Sequence, residues 1–194
     1  MITETTKKFR FNANKPKSLF LDRDGVINIS PKGLYVSSWS EFKFEEKALE
    51  ALRFLSHYFD YVFVITNQRG VGKNVMKEES LIEIHRNMCN EIITHGGRVD
   101  KVYYCTDVDY NSMNLKPNSG MAYQAKSEFK EVSFENSIMI GDQLSDIEFG
   151  KRLNMKTILI DKTELKVHDL TVDCDMFCKN LMDVVSVLGI GSNY

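Results

Sequence analysis

Four short stretches of this 194-residue chain carry side chains able to do chemistry together. Residues 20–28 read FLDRDGVIN, which sets Asp22 and Asp24 one residue apart directly behind an apolar run. Two ionised carboxylates held close repel each other, so a site containing both recruits a cation or keeps one proton. Further on, TNQRG occupies 66–70, Lys116 precedes Pro117, and GDQLSD occupies 141–146. Taken singly, these have ordinary readings: Thr66 and Asn67 as caps of a helix or turn, Lys116 as a solvated side chain, Asp142 as an N-cap. A calcium loop beginning at Asp22 is excluded, because its sixth and twelfth positions, which call for Gly and Glu, are Ile27 and Gly33. What sets the four stretches apart is their placement, in order, at the ends of apolar segments.

Those segments, at 18–22, 61–66, 101–106, 137–142 and 156–161, are short and rich in β-branched and aromatic residues, as buried parallel strands are. Helical periodicity fills the intervals at 45–59, 78–95, 118–129 and 144–153. The alternation predicts an α/β fold, a Rossmann-like parallel sheet with helices on both faces. A weak strand near DMFC, 175–178, and a helix at about 179–188 complete the chain. Asp22, Thr66 and Asp142 stand at the carboxyl ends of the first, second and fourth strands, where open α/β sheets bind ligands. The strand order 3-2-1-4-5 would gather them in one crevice. No repeat or linker divides the sequence, so residues 1–194 read as one domain with its core at about 17–161, and the polar first dozen residues read as frayed.

A net charge of -2, with 43% hydrophobic and 27% charged residues, supplies no basic surface for nucleic acid or anionic lipid. The longest apolar run, YVFVI, is far too short to span a bilayer. No apolar segment follows the N-terminal charges, so the expected location is the cytoplasm. Cys89, Cys105, Cys174 and Cys178 form no CxxC pair and lack the density of secreted domains, which marks them as reduced thiols.

Together the four stretches resemble the four signature motifs of the haloacid dehalogenase (HAD) superfamily, over roughly residues 17–161. FLDRDGVIN, TNQRGVGK and MIGDQLSD are further similar to the subfamily that contains the D-glycero-D-manno-heptose 1,7-bisphosphate phosphatases and the histidinol phosphatases. The resemblance implies a phosphatase acting through an aspartyl phosphate on a small phosphorylated metabolite, a sugar phosphate such as heptose 1,7-bisphosphate or, alternatively, histidinol phosphate. It makes Asp22 the nucleophile and Asp24 the general acid and base, with Lys116 offsetting the charge on nucleophile and phosphate. Thr66, Asn67, Gln68 and Arg23 would face the substrate, Arg23 through its backbone N–H. The implied cofactor is Mg2+, held by Asp22, Asp142 and the backbone carbonyl of Asp24, with Asp146, one helical turn after Asp142, in support. This chemistry suits the residue types, since a phosphate monoester dianion repels nucleophiles and must be neutralised and met by an aligned attacker. To act as an acid Asp24 must hold a proton near neutral pH, which crowding beside Asp22 would favour.

The sequence also departs from its relatives. Only about forty residues separate Asp24 from the second strand, too few for a cap domain. Loops 28–40 and 105–116 are therefore expected to shape specificity, with Tyr35 and Trp39 as candidates to line the cleft. Zinc-loop heptose bisphosphate phosphatases carry three cysteines and a histidine before the Lys-Pro pair, and an arginine beside the lysine. Here Cys105 alone remains, and Asn114 and Leu115 fill the last two places. One thiol makes no four-ligand zinc site, so Cys105 is expected to pack at a strand end, and His57, His85, His95 and His168 to be surface or core residues. Two other readings compete. A receiver-like module carries its phosphoacceptor on the third strand, which ends here in YYCT. A non-catalytic phosphate-binding protein would have no need of Asp22, Asp24, Lys116 and Asp142 together.

Overall fold

Side chains alternate between the two faces of a strand, so a strand that is apolar at every position needs a layer on each side. In the computed structural model, which describes residues 9–31, 35–162 and 172–190, six parallel strands meet that condition to differing degrees. They are Ser18–Leu21 (β1), Tyr61–Asn67 (β2), Lys101–Cys105 (β3), Ser137–Gly141 (β4), Lys156–Ile160 (β5) and Met176–Cys178 (β6), in the order β3-β2-β1-β4-β5-β6. The order is the expected one, extended by β6. The helices are Ala48–Tyr58 (α1), Arg69–Gly72 (α2), Glu78–Thr94 (α3), Gly120–Glu128 (α4), Leu144–Arg152 (α5) and Leu181–Val187 (α6).

The alternation sorts the core into two clusters. Leu19, Leu21, Val62, Val64, Ile138 and Ile140 pack on one face with α1, α3 and α6. Phe20, Phe63, Ile65 and Met139 pack on the other with α4 and α5. β1 lies at the centre, with Leu21 level with Val64 of β2 and Ile140 of β4, and the Asp22 N–H continues the ladder to the Ile140 carbonyl at 2.9 Å. The chain leaves β1 toward β2 on one side and reaches β4 on the other, so a crevice opens beyond the carboxyl ends of these strands. Its floor rests on fully buried Leu21 and Ile140, where truncation to alanine costs about 2–5 kcal/mol.

Two local expectations change. The first dozen residues are not uniformly frayed: Phe11 packs its ring against Tyr58 and Phe59, and the Asn12 N–H donates to Asn136 Oδ1 at 2.7 Å. Residues 1–8 and His168 lie outside the described residues. Helix α2 has two glycines in four residues and no apolar periodicity, so nothing in the sequence announces it.

Candidate active site

Lys116 organises the crevice floor. Its side chain is buried, with 4% of the residue exposed, and an ammonium in that position needs an acceptor for each of its three hydrogens. It has them: Asp22 Oδ1 at 2.7 Å, Asp146 Oδ1 at 2.6 Å and the Ile65 carbonyl at 2.7 Å. Burial alone would favour the neutral amine, but Asp146 and Asp22 outweigh it and hold the lysine pKa above its ordinary value. Asp146 is fixed in turn, since its Oδ2 accepts the Gln143 N–H at 3.0 Å in a capping box that opens α5. The lysine backbone is pinned from the other side by Asn67, whose Oδ1 accepts the Lys116 N–H at 2.9 Å and whose Nδ2 donates to the Lys116 carbonyl at 3.2 Å.

Asp24 sits in a different environment. Arg23 Nη2 donates to both its oxygens at 2.9 Å, Asn28 Nδ2 to Oδ1 at 2.9 Å and Gln68 Nε2 to Oδ2 at 2.7 Å. Burial raises the carboxyl pKa, but the Arg23 charge and these hydrogen bonds outweigh burial and bring it below its ordinary value. Asp22 moves the other way. Burial, reinforced by Asp146 and Asp24, pushes it up to about 7 despite Lys116. The expectation that crowding leaves the proton on Asp24 is therefore reversed in the free site: the raised member of the pair is Asp22.

The first loop is shaped to bring Asp142 close. Gly25 has φ +85, and a Cβ there would lie 2.1 Å from Asp142 Oδ2, so only glycine permits the approach. Carboxylate oxygens of Asp22, Asp142 and Asp146 converge within 4.8 Å of one another. Burial, then Asp146, pushes Asp142 up to about 6. Crowded, desolvated oxygen donors of this kind suit a hard divalent cation. Both Asp146 oxygens are engaged, by Lys116 and the Gln143 N–H, whereas Lys116 takes one oxygen of Asp22 and Gln143 Nε2 one oxygen of Asp142, at 3.1 Å.

The HAD-hydrolase-like family profile matches residues 115–184. The chain is 36% identical over 155 residues to the D-glycero-alpha-D-manno-heptose-1,7-bisphosphate 7-phosphatase of Campylobacter jejuni, across 80% of this chain and 88% of the relative. The chain belongs to the HAD superfamily. A second HAD relative, the D-glycero-beta-D-manno-heptose-1,7-bisphosphate 7-phosphatase of Helicobacter pylori strain 26695, is 30% identical across 89% of this chain and 99% of its own. The crystal structure of D,D-heptose 1,7-bisphosphate phosphatase from B. bronchiseptica, complexed with magnesium and phosphate, matches with a TM-score of 0.79 and 25% identity, across 89% and 97% of the two chains. This HAD protein is thus a phosphatase, a phosphoric monoester hydrolase.

The HAD crevice, of about 210 Å³, is lined by Asp22, Asp24, Thr66, Asn67, Lys116, Asp142 and Asp146 among the residues singled out from sequence, and by Ser30, Gln143 and Ser145, which were not. A larger depression of about 460 Å³, near Arg53, His57 and Gly96, lies at the C-terminal ends of α1 and α3, away from this chemistry. Thr66 Oγ1 accepts from Gln68 Nε2 at 2.8 Å and keeps its own hydrogen to donate. One expected substrate ligand is placed otherwise: Gln68 is buried against Asp24 and Thr66 and does not line the crevice. The Arg23 side chain, expected to point away from the substrate, turns into the core, with Nη1 3.1 Å from His85 Nε2. His85 was expected only as a surface or core residue. Its signal was its place on the buried stripe Leu81, His85, Met88 and Ile92 of α3, where an imidazole needs a partner.

The rim differs from expectation too. Trp39 stacks on Phe42 at 5.0 Å, and Tyr35 lies against Gly70; neither lines the crevice. Cys105 packs at the end of β3 as expected. Leu115, which stands where zinc-loop relatives carry arginine, is 4% exposed in the cluster under α4, so a guanidinium would have to leave that cluster to meet a substrate. The loop after β3 is anchored at its start by the Gln68 N–H on the Cys105 carbonyl at 2.7 Å. It is filled by local bonds, among them Ser112 Oγ to Asp107 and the Asn111 N–H to Asp109 Oδ1 at 2.9 Å. No helix among the described residues is long and apolar enough to cross a membrane.

Proposed function

We propose that this single-domain, capless HAD phosphatase removes a phosphate from a sugar phosphate of the D-glycero-D-manno-heptose 1,7-bisphosphate kind through an aspartyl phosphate on Asp22. The observation that carries this reading is the Asp22–Lys116–Asp146 cluster, which supplies a carboxylate nucleophile with its counter-charge already in place. The names of the Campylobacter and Helicobacter relatives and of the B. bronchiseptica structure support the substrate class. Asp22 attacks phosphorus as the bond to the sugar oxygen breaks, and Asp24 gives its proton to that oxygen. Asp24 then takes a proton from the water that cleaves the acyl phosphate, releasing inorganic phosphate and restoring Asp22. Since Asp24 is held ionised in the free site, its protonation is favoured by the dianionic phosphate, whose charge opposes the Arg23 effect. Thr66 Oγ1 and the remaining Asn67 Nδ2 hydrogen donate to the phosphoryl oxygens while Lys116 neutralises charge.

Asp22, Asp142 and the Asp24 carbonyl would hold Mg2+, which when bound supplies positive charge to the nucleophile and the phosphoryl group. Four cysteines without CxxC spacing or the density of secreted domains, together with the phosphorylated metabolite class, support a cytoplasmic setting. Phosphate release from heptose 1,7-bisphosphate, histidinol phosphate and an aryl phosphate tests the assignment. The bisphosphate should give the highest kcat/KM; a preference for histidinol phosphate would overturn the substrate class. Activity should vanish with EDTA and return with Mg2+ alone, and recovery with Zn2+ alone would overturn the metal assignment.

A further inference from the structure

We propose that His85 is a positioning residue for Asp24, acting through Arg23. This rests on the reading of Asp24 as proton donor and acceptor. Arg23 is fully buried, and a guanidinium has donors only. One end of its fork, Nη2, is taken by both oxygens of Asp24; the other, Nη1, meets His85 Nε2 at 3.1 Å. Because arginine cannot accept, Nε2 must offer its lone pair, which fixes His85 as a neutral imidazole with its proton on Nδ1. The imidazole is itself held between α3, on which it sits, and Tyr104 of β3, whose ring centroid lies 5.4 Å away and whose hydroxyl donates to Glu78 at 3.1 Å.

With His85 in place the guanidinium is fixed at both ends. Without that acceptor it is fixed at one end only and free to swing, carrying the Asp24 carboxylate with it. Arg23 Nε is buried without a hydrogen-bond partner among the described residues, so Nη1 to His85 is the second anchor of the guanidinium. Arg23, Asn28 and Gln68 saturate both Asp24 oxygens, so proton exchange requires one of these bonds to yield while the others keep the carboxylate on course. Misplacing a catalytic group by about 1 Å can cost about 100-fold in rate.

The test separates proton transfer from the rest of the reaction. Rapid-quench measurement gives the rate of phosphoenzyme formation from an alkyl phosphate, whose leaving oxygen needs a proton, and from p-nitrophenyl phosphate, whose leaving group does not. In His85→Leu the alkyl rate should fall about 10- to 100-fold and the aryl rate less than about threefold, with KM for each within about twofold. His85→Gln, which restores an acceptor, should recover most of the alkyl rate. Equal losses for both substrates, or a glutamine variant no better than leucine, would overturn the inference. Asp24→Asn run alongside should show the same split. If it does not, the role of Asp24 falls and this inference with it; a split in Asp24→Asn with none in His85→Leu overturns the His85 role alone. Should His85→Leu not fold, 15N chemical shifts of His85 in the wild-type protein decide: an unprotonated Nε2 is expected, and a protonated Nε2 at pH 7 overturns the proposal.

Discussion

Lys116 and Tyr110 are six residues apart in the chain and belong to opposite regimes. Lys116 is 4% exposed with an acceptor for each ammonium hydrogen, reached from β1, β2 and α5. Tyr110 is 75% exposed, and its ring meets the Arg69 guanidinium at 4.3 Å. The floor of the crevice is held by one buried ammonium shared between two carboxylates, so that removing the lysine leaves both without their counter-charge. The rim, with Val108, Tyr110 and Met113 exposed, is held by local loop bonds and contributes little to the core. The buried charge cluster and the exposed loop are therefore parts of the molecule with very different tolerance of change.

The largest break in this contrast comes from the floor. Asp22→Asn should reduce turnover of an aryl phosphate by at least about 10^4-fold and abolish the acid-stable phosphoenzyme label, while leaving the melting temperature within a few degrees. Asparagine replaces a group that burial already pushes toward neutrality, so stability is spared while chemistry is not. Lys116→Met should lower both. Asp22 and Asp146 lose their shared counter-charge, which predicts about 3–5 kcal/mol less stability in urea unfolding and about 100- to 1000-fold slower turnover.

Acid separates the two regimes more gently. Burial, then the neighbouring Arg23, holds His85 down to about 3 against 6.5 for the free side chain. Between those values the unfolded chain binds a proton that the folded chain refuses. The stability contributed is full above pH 6.5 and is lost as pH falls toward 3, with a slope of up to about 1.4 kcal/mol per pH unit. His85→Gln should flatten the pH dependence of unfolding free energy over that window relative to wild type. The smallest effect belongs to the rim: Tyr110→Ala should leave stability within about 0.5 kcal/mol and kcat for an aryl phosphate within about twofold. A larger change in either would erase the distinction between floor and rim.

The same distinction governs what the sequence revealed. The sheet order was legible because Asp22, Thr66 and Asp142 each follow an apolar strand and need a common crevice. Lys116 alone reads as a solvated side chain and stood out only as one of four stretches that together resemble the HAD motifs; its bond to Asp146 was not legible, since helical spacing brings Asp146 near Asp142 without saying which cation it serves. Asp24 was misread for a related reason. Its neighbour Asp22 could be counted from the sequence, whereas the Arg23 side chain acts on it only because β1 and α3 bury the guanidinium beside His85. Trp39 was placed at the cleft from its loop position, yet Phe42 and Phe44 gave it a larger apolar surface to cover.

The loop between Cys105 and Lys116 is fastened twice to the end of one strand, at its start through the Gln68 N–H and at its finish through the reciprocal Asn67 amide bonds. Its two feet stay together whatever lies between them. Closing a longer or shorter span adds little, about 0.6 kcal/mol for each doubling of length. The segment can thus change in length or content while the ammonium of Lys116 keeps its coordinates.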